Sequence, residues 1–290
     1  MMARQTALRG LLIDTPPAYK QVKVFHTENK GLSGSRRYGL SKVSGDYLIF
    51  LDCDDWVENN WLEELYSSLV TASADMAICE YFEEYEDHRQ LVEITEHSDV
   101  EGVVRDLIHG RTWCVVWNKL FKTKIIKEHG ISFFEHLRYW EDVPFTVSYS
   151  LYCNKMTFVH KPLYHYIKTN NESLTATENN NVAFNLCRVK VVTMIEEHLQ
   201  KSGKQNAFAN DLLWIKYWIK DQFILHTVTK DRIKLWRTSF PEVNKDWERL
   251  IGKFSMKYWA LDHGWDWYLL MNGNYWQLRH KIKAFLKNGK

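Results

Sequence analysis

Apolar and polar positions alternate along this chain in two different rhythms. From residue 22 to about 167, short apolar runs are separated by amphipathic stretches. Val22–His26 alternates with period two, Tyr47–Leu51 is wholly apolar, Ala74–Cys79 is nearly so, and Met156–Val159 and Pro162–Tyr166 are strand-like. Between them, helices are predicted over Trp56 to about Val70, Glu101–His109, Lys122–His129 and from Glu141 towards Leu151. Strands interleaved with helices predict a three-layer α/β domain over 1–177. Past residue 178 the period changes. Leu186, Val189, Val192, Ile195 and Leu199 mark one amphipathic helix, and Leu212, Ile215, Ile219 and Phe223 a second. Eight of the thirteen tryptophans lie from Trp214 onward, so the region 178–290 is expected to be helical with large aromatic surfaces to bury. Before residue 22, Ala7–Asp14 reads as the end of a helix stopped by Pro16-Pro17.

The stretch that carries chemistry is Tyr47–Trp56. Five apolar residues suit a strand buried on both faces, and the run ends in Asp52, Asp54 and Asp55. Unpaired burial of these acids is too costly, so they belong at the strand's exit, where ligands bind in open α/β sheets. Two hard oxygen donors at Asp52 and Asp54 suit Mg²⁺ or Mn²⁺ carrying a diphosphate. Asp55, with Glu58 three residues on, reads as the N-cap and capping box of the following helix. Upstream, Asn29–Leu40 reads as a Gly- and Ser-rich loop opening a helix, where backbone N–H groups and Arg36 or Arg37 favour an anion.

Composition narrows the classes. The chain is 45% hydrophobic and 26% charged with a net charge of +2, too little cationic excess for nucleic acid. The five cysteines at 53, 79, 114, 153 and 187 form no C-x-x-C pair and read as reduced core thiols of a cytosolic protein. No apolar run approaches a membrane span. Leu278–Lys290 places Leu278, Ile282, Phe285 and Leu286 against five Lys or Arg, a pattern that suits either a surface helix or peripheral contact with an anionic membrane.

Three blocks together resemble the family 2 glycosyltransferases of the GT-A fold, the type that builds bacterial surface polysaccharides. They are Glu28–Ser33 through Arg36 to Gly39-Leu40; Gly45-Asp46-Tyr47 with Phe50–Val57; and Trp117–Phe121 with Glu141-Asp142, Leu163–Tyr166 and Ser173-Leu174-Thr175. The resemblance implies a nucleotide-sugar donor, typically UDP-linked, a divalent cation, and a glycan or lipid-linked acceptor at the cytoplasmic membrane face. By it, Asp52 is expected near the ribose and metal, Asp54 on the metal, Arg36 near the diphosphate, and Asp142 as general base of an inverting transfer. Glu141-Asp142 also reads as an ordinary acid pair at a helix start, and His165 as a further metal donor or a loop histidine. The family's leading β-α-β segment is not recognisable before residue 22, which predicts an N-terminally incomplete GT-A-like domain; the alternative function is a non-catalytic remnant or binding module.

Overall fold

The computed structural model describes residues 22–168, 182–225 and 227–273. Its elements are α1 (Gly31–Ser41), β1 (Tyr47–Leu48), β2 (Trp56–Val57), α2 (Trp61–Thr71), β3 (Met76–Glu84), β4 (Arg89–Val92), α3 (Val100–His109), β5 (Lys119–Lys122), α4 (Thr123–Glu128), α5 (Asp142–Leu151) and β6 (Met156–Ile167). These are followed by α6 (Val182–Lys201), α7 (Ala209–Ile224), α8 (Lys230–Thr238), α9 (Trp247–Ile251) and α10 (Met256–His263). The expectations for 7–14, 173–175 and 278–290 lie outside the described residues.

The strands form one mixed sheet in the order β1-β5-β3-β6-β2, with β4 paired to β3. The central pair, β3 and β6, is parallel, and every other pairing is antiparallel. Alternation along β3 sends Ala77, Cys79 and Tyr81 to one face, where they pack with Trp61, Leu65 and Leu69 of α2. Met76 and Ile78 turn to the other face, into a core shared with α3, α5, α6 and α7. Sheet and flanking helices therefore make the α/β layering that the alternation predicts. The late helices do not stand apart: Val191, Ile195, Leu212 and Ile219 belong to the same apolar cluster as Val103, Leu107 and Phe145.

Several local expectations are corrected. Val22–His26 is exposed and unpaired rather than a strand. Residues from Gly31 onward, expected as a loop, already form α1, which starts at a glycine with φ 73°. Only Tyr47 and Leu48 of the apolar run pair, with Lys122 and Phe121. The run sits at the sheet edge and is not buried on both faces: Leu51 is 53% exposed, while Phe50 turns inward between Phe121, Phe133 and Phe145. Asp55 caps no helix. Helix α2 begins five residues later than the capping-box reading requires, behind Asn60, and Trp56-Val57 pair with His165 and Tyr164 instead. The acidic stretch Glu80–Glu84 is β-strand with Glu80 and Glu83 buried, because His160, Tyr85 and Lys168 satisfy those carboxylates. Cys79, Cys114 and Cys153 are buried free thiols, and burial pushes Cys79 up to about 12.

Candidate active site

The loop from Asp52 to Asp55 leaves the β1 edge and is pinned from below by Tyr164 of β6. The Tyr164 hydroxyl donates to Asp55 Oδ2 at 2.7 Å and accepts from the Asp52 backbone N–H at 3.3 Å. Asp55 Oδ1 accepts from the Ile167 N–H at 2.9 Å. Burial raises the Asp55 carboxyl to about 6 against these hydrogen bonds. Tyr164 is itself fixed by stacking on Trp117 at 4.1 Å. Asp55 is thus a fastener of the loop, and its neighbours are the groups left to face outward.

Arg36 reaches this loop from α1. Its Nη2 donates to Asp52 at 2.8 and 3.2 Å, and its Nη1 to Glu141 Oε1 at 2.7 Å. A single guanidinium therefore ties the exit of β1 to the N-terminus of α5, the latter 105 residues from Arg36 in sequence. Its fork geometry matches two carboxylates held in fixed positions. Glu141 is buried beside Asp142, and both effects push its carboxyl up to about 7 despite Arg36. Burial likewise raises Asp142, opposed first by Arg36. Asp142 opens α5, where the helix dipole favours negative charge. Arg36, Asp52, Glu141 and Asp142 thus meet in one place.

Asp54 differs from its neighbours. It is exposed and makes no hydrogen bond or ion pair among the described residues. No group of three or more His, Cys, Asp or Glu among the described residues forms a ready metal cage. Mg²⁺ and Mn²⁺ are commonly held by one or two carboxylates with substrate phosphates completing the shell, and a free Asp54 beside Asp52 fits that donor set. His165 does not contribute. It is fully buried, stacked on Trp56 at 3.4 Å, with Nδ1 2.7 Å from Glu84 and Nε2 3.1 Å from Glu58. Arg37, the other arginine of the predicted anion loop, is exposed and faces Glu135 at 3.4 Å.

Lys119 and Tyr164 lie within the third block of the sequence, but their supporting roles were not assigned there. Lys119, fully buried, donates to the Trp113 and Val115 carbonyls and to Asn118 Oδ1 at 2.8–2.9 Å. Burial pulls it down to about 8, opposed by the charges of Cys114 and Asp142. Asn118 Nδ2 donates in turn to the Cys79 carbonyl, so this pair braces the segment entering β5. The signal was present: a lysine inside the apolar run Val115–Phe121 must be buried with partners or break the strand. Tyr164 left no comparable trace, since one tyrosine among several gives no sign of which carboxylate it meets.

With this geometry in hand, comparison with known proteins is informative. The model of the family described as Glycosyl transferase family 2 matches residues 10–131. The putative glycosyltransferase EpsH of Bacillus subtilis is 31% identical over 156 residues, covering 50% of this chain and 44% of EpsH. The cholesterol galactosyltransferase of Borreliella burgdorferi is 26% identical over 221 residues, 71% of this chain and 59% of that protein. The chain spans about half the length of these curated relatives. Among solved structures, residues 1–349 of S. aureus TarS in complex with UDP-GlcNAc superpose with a TM-score of 0.61, at 18% identity, over 91% of this chain and 76% of that one. At that identity the likeness is one of fold. No helix among the described residues is long and apolar enough to cross a membrane.

Proposed function

Because the chain belongs to glycosyltransferase family 2, we propose that it moves a sugar from a UDP-linked donor to a hydroxyl of a glycan or lipid-linked acceptor, with inversion. The observation that supports this reading is the Arg36 bridge, which ties Asp52 to Glu141, the chain neighbour of Asp142. In it, Asp54 and Asp52 would hold Mg²⁺ or Mn²⁺ for the donor's diphosphate. The bound ion supplies charge neutralisation that makes the nucleoside diphosphate a better leaving group. Arg36, a permanent cation at the same mouth, adds charge-assisted hydrogen bonds to the phosphates.

Asp142 takes the proton of the acceptor hydroxyl as that oxygen attacks the anomeric carbon. The new C–O bond forms on one face of the sugar while the bond to the β-phosphate oxygen breaks on the other. The nucleoside diphosphate departs with the electron pair, and the anomeric configuration inverts. Burial raises Asp142, and in its ionised form a carboxylate of raised proton affinity is a stronger base than an exposed aspartate. Glu141, neutralised by Arg36, keeps a second full charge from crowding the site. The reading puts the enzyme at the cytoplasmic membrane face, with 278–290 as a peripheral contact.

Isothermal titration with UDP and Mn²⁺ tests the donor half. The expected result is saturable binding that disappears in Asp54→Ala and in EDTA. A chain that gives no heat at all fits the non-catalytic remnant instead and overturns the reading.

A further inference from the structure

The helical half carries a second concave feature, remote from the carboxylate cluster in sequence yet joined to it in space. Trp214, Tyr217, Trp218 and Asp221 of α7, with Leu250 and Ile251 at the end of α9, line a cavity of about 190 Å³. That space holds several waters and opens to solvent, a hollow on the scale of one sugar ring. Trp214 and Trp218 are partly exposed at its wall. Their rings are nearly parallel, 15° apart with centroids at 6.3 Å.

The ladder continues towards the acid pair. Trp218 lies 9° from parallel with Trp140, at 6.0 Å, and Trp140 is the residue before Glu141. Trp140 adopts a left-handed backbone conformation, φ 60°, which a bulky residue takes up only where its surroundings demand it. Arg188, buried, locks the array from behind, its guanidinium 4.6 Å from the Trp140 ring and 5.0 Å from Trp218. Three indoles thus run from the cavity to the start of α5.

The geometry points to a saccharide-binding subsite in this cavity, taking a neutral sugar unit of a glycan whose other end reaches Asp142. Trp218 stacks on Trp214 and Trp140, and Trp214 packs also on His109 at 4.2 Å; the part-exposed ring surface that remains is an apolar wall for the C–H groups of a pyranose, and a site of this kind needs only a few polar groups to fix orientation. Asp221 is suited to that task. Its Oδ1 accepts from Lys257 Nζ and the Tyr258 hydroxyl, both at 2.8 Å, so its charge is already balanced. What remains is an acceptor for sugar hydroxyls rather than an open anionic hole. The same pairing disfavours a quaternary ammonium, which needs unbalanced negative charge and ring faces that box it in; these rings are parallel and leave no box. The direction of the glycan rests on the glycosyl-transfer reading, whereas the cavity's chemistry does not.

A glycan array of bacterial oligosaccharides, probed with the full chain without donor, tests the assignment. Binding is expected to one or more arrayed glycans, weakened at least tenfold by Trp218→Ala and by Asp221→Asn. If Trp218→Ala melts early, Asp221→Asn carries the test, since the amide keeps the size and one acceptor oxygen. No arrayed glycan bound, binding unchanged in Asp221→Asn, or binding displaced by tetramethylammonium would each overturn the subsite. UDP and Mn²⁺ titration on the same samples separates the two claims. Intact UDP binding with no glycan bound removes only the subsite, and glycan binding without UDP binding removes only the donor reading.

Discussion

Arg36→Ala tests the bridge most directly, and its effect should depend on pH in a defined sense. The Arg36 and Glu141 side chains are 9% and 10% exposed, while Asp52 is 29% exposed. Removing one partner of a fully buried ion pair costs about 3–5 kcal/mol. Asp52 can be rehydrated, so the penalty falls chiefly on Glu141, and about 3 kcal/mol is the expectation in alkaline buffer. The wild-type Glu141 carboxyl is raised to about 7 by burial and Asp142, with Arg36 opposing. Its contribution to stability is therefore full below the ordinary glutamate value and is lost as pH rises through about 7. Without Arg36 its pKa rises further, so the variant keeps its proton where the wild type has lost it. The stability deficit should then grow above pH 7 by up to about 1.4 kcal/mol per pH unit. Below pH 6 it should shrink to the cost of a neutral, poorly paired carboxyl, about 1–2 kcal/mol. Urea unfolding at pH 6, 7, 8 and 9 measures this, alongside Glu141→Gln and the double variant. The double variant should lose the pH-dependent part. A deficit for Arg36→Ala that is equal at pH 6 and pH 9, or a double variant that keeps the slope, would refute the argument.

Other substitutions separate fastening from chemistry. Asp54→Asn should change stability by no more than about 0.5 kcal/mol, because the side chain is exposed and unpaired among the described residues, while removing Mn²⁺-dependent UDP binding in calorimetry. Tyr164→Phe removes the hydroxyl between Asp55 and Asp52; about 1–2 kcal/mol of stability should go, and in transfer assays the donor KM should rise more than kcat falls. Lys119→Met leaves the Trp113 and Val115 carbonyls and Asn118 Oδ1 without their donor, which should cost about 3 kcal/mol in urea unfolding. Because burial pulls Lys119 down to about 8, the wild type should gain stability as pH rises from about 8 to 10, where the unfolded chain still holds the proton, and Lys119→Met should lack that gain.

How much of this was legible in the sequence depended on whether the deciding interaction is local. The helices at Val100–His109 and Thr123–Glu128 follow their apolar spacing closely, since each lays one stripe on the core and periodicity is all that choice needs, whereas Asp142–Leu151 is buried all round from Pro144 to Leu151. The run Tyr47–Leu51 failed the same test. Its composition is that of a central strand, but among the described residues β1 pairs only with β5 and Leu51 stays 53% exposed. Asp55 failed for a related reason. An Asp three residues before a Glu is a sound local cap signal, yet the Tyr164 hydroxyl and the Ile167 N–H, 109 and 112 residues away, outbid it. Long-range partners of a polar side chain leave no periodic trace.

The candidate site shows where that limit lies. The sequence marked Asp52, Asp54, Arg36 and Asp142 by type and order, but left open whether they meet, and local capping explained Glu141-Asp142 equally well. Helix-start acids exposed to water have no need of a buried arginine, and Glu141 makes no capping hydrogen bond. It turns instead to Arg36 at 2.7 Å and stays buried at the expense of its ordinary acidity. A pair kept only for the helix dipole gains at most about 2 kcal/mol from its position, too little to offset burying two adjacent carboxyls whose acidities are both driven upward. Such an arrangement persists because something outside α5 requires it. The bridge to Asp52 names a candidate for that requirement: one guanidinium fixes the spacing of Asp52 and Glu141, which in the proposed reading is the spacing of the donor-side and acceptor-side acids.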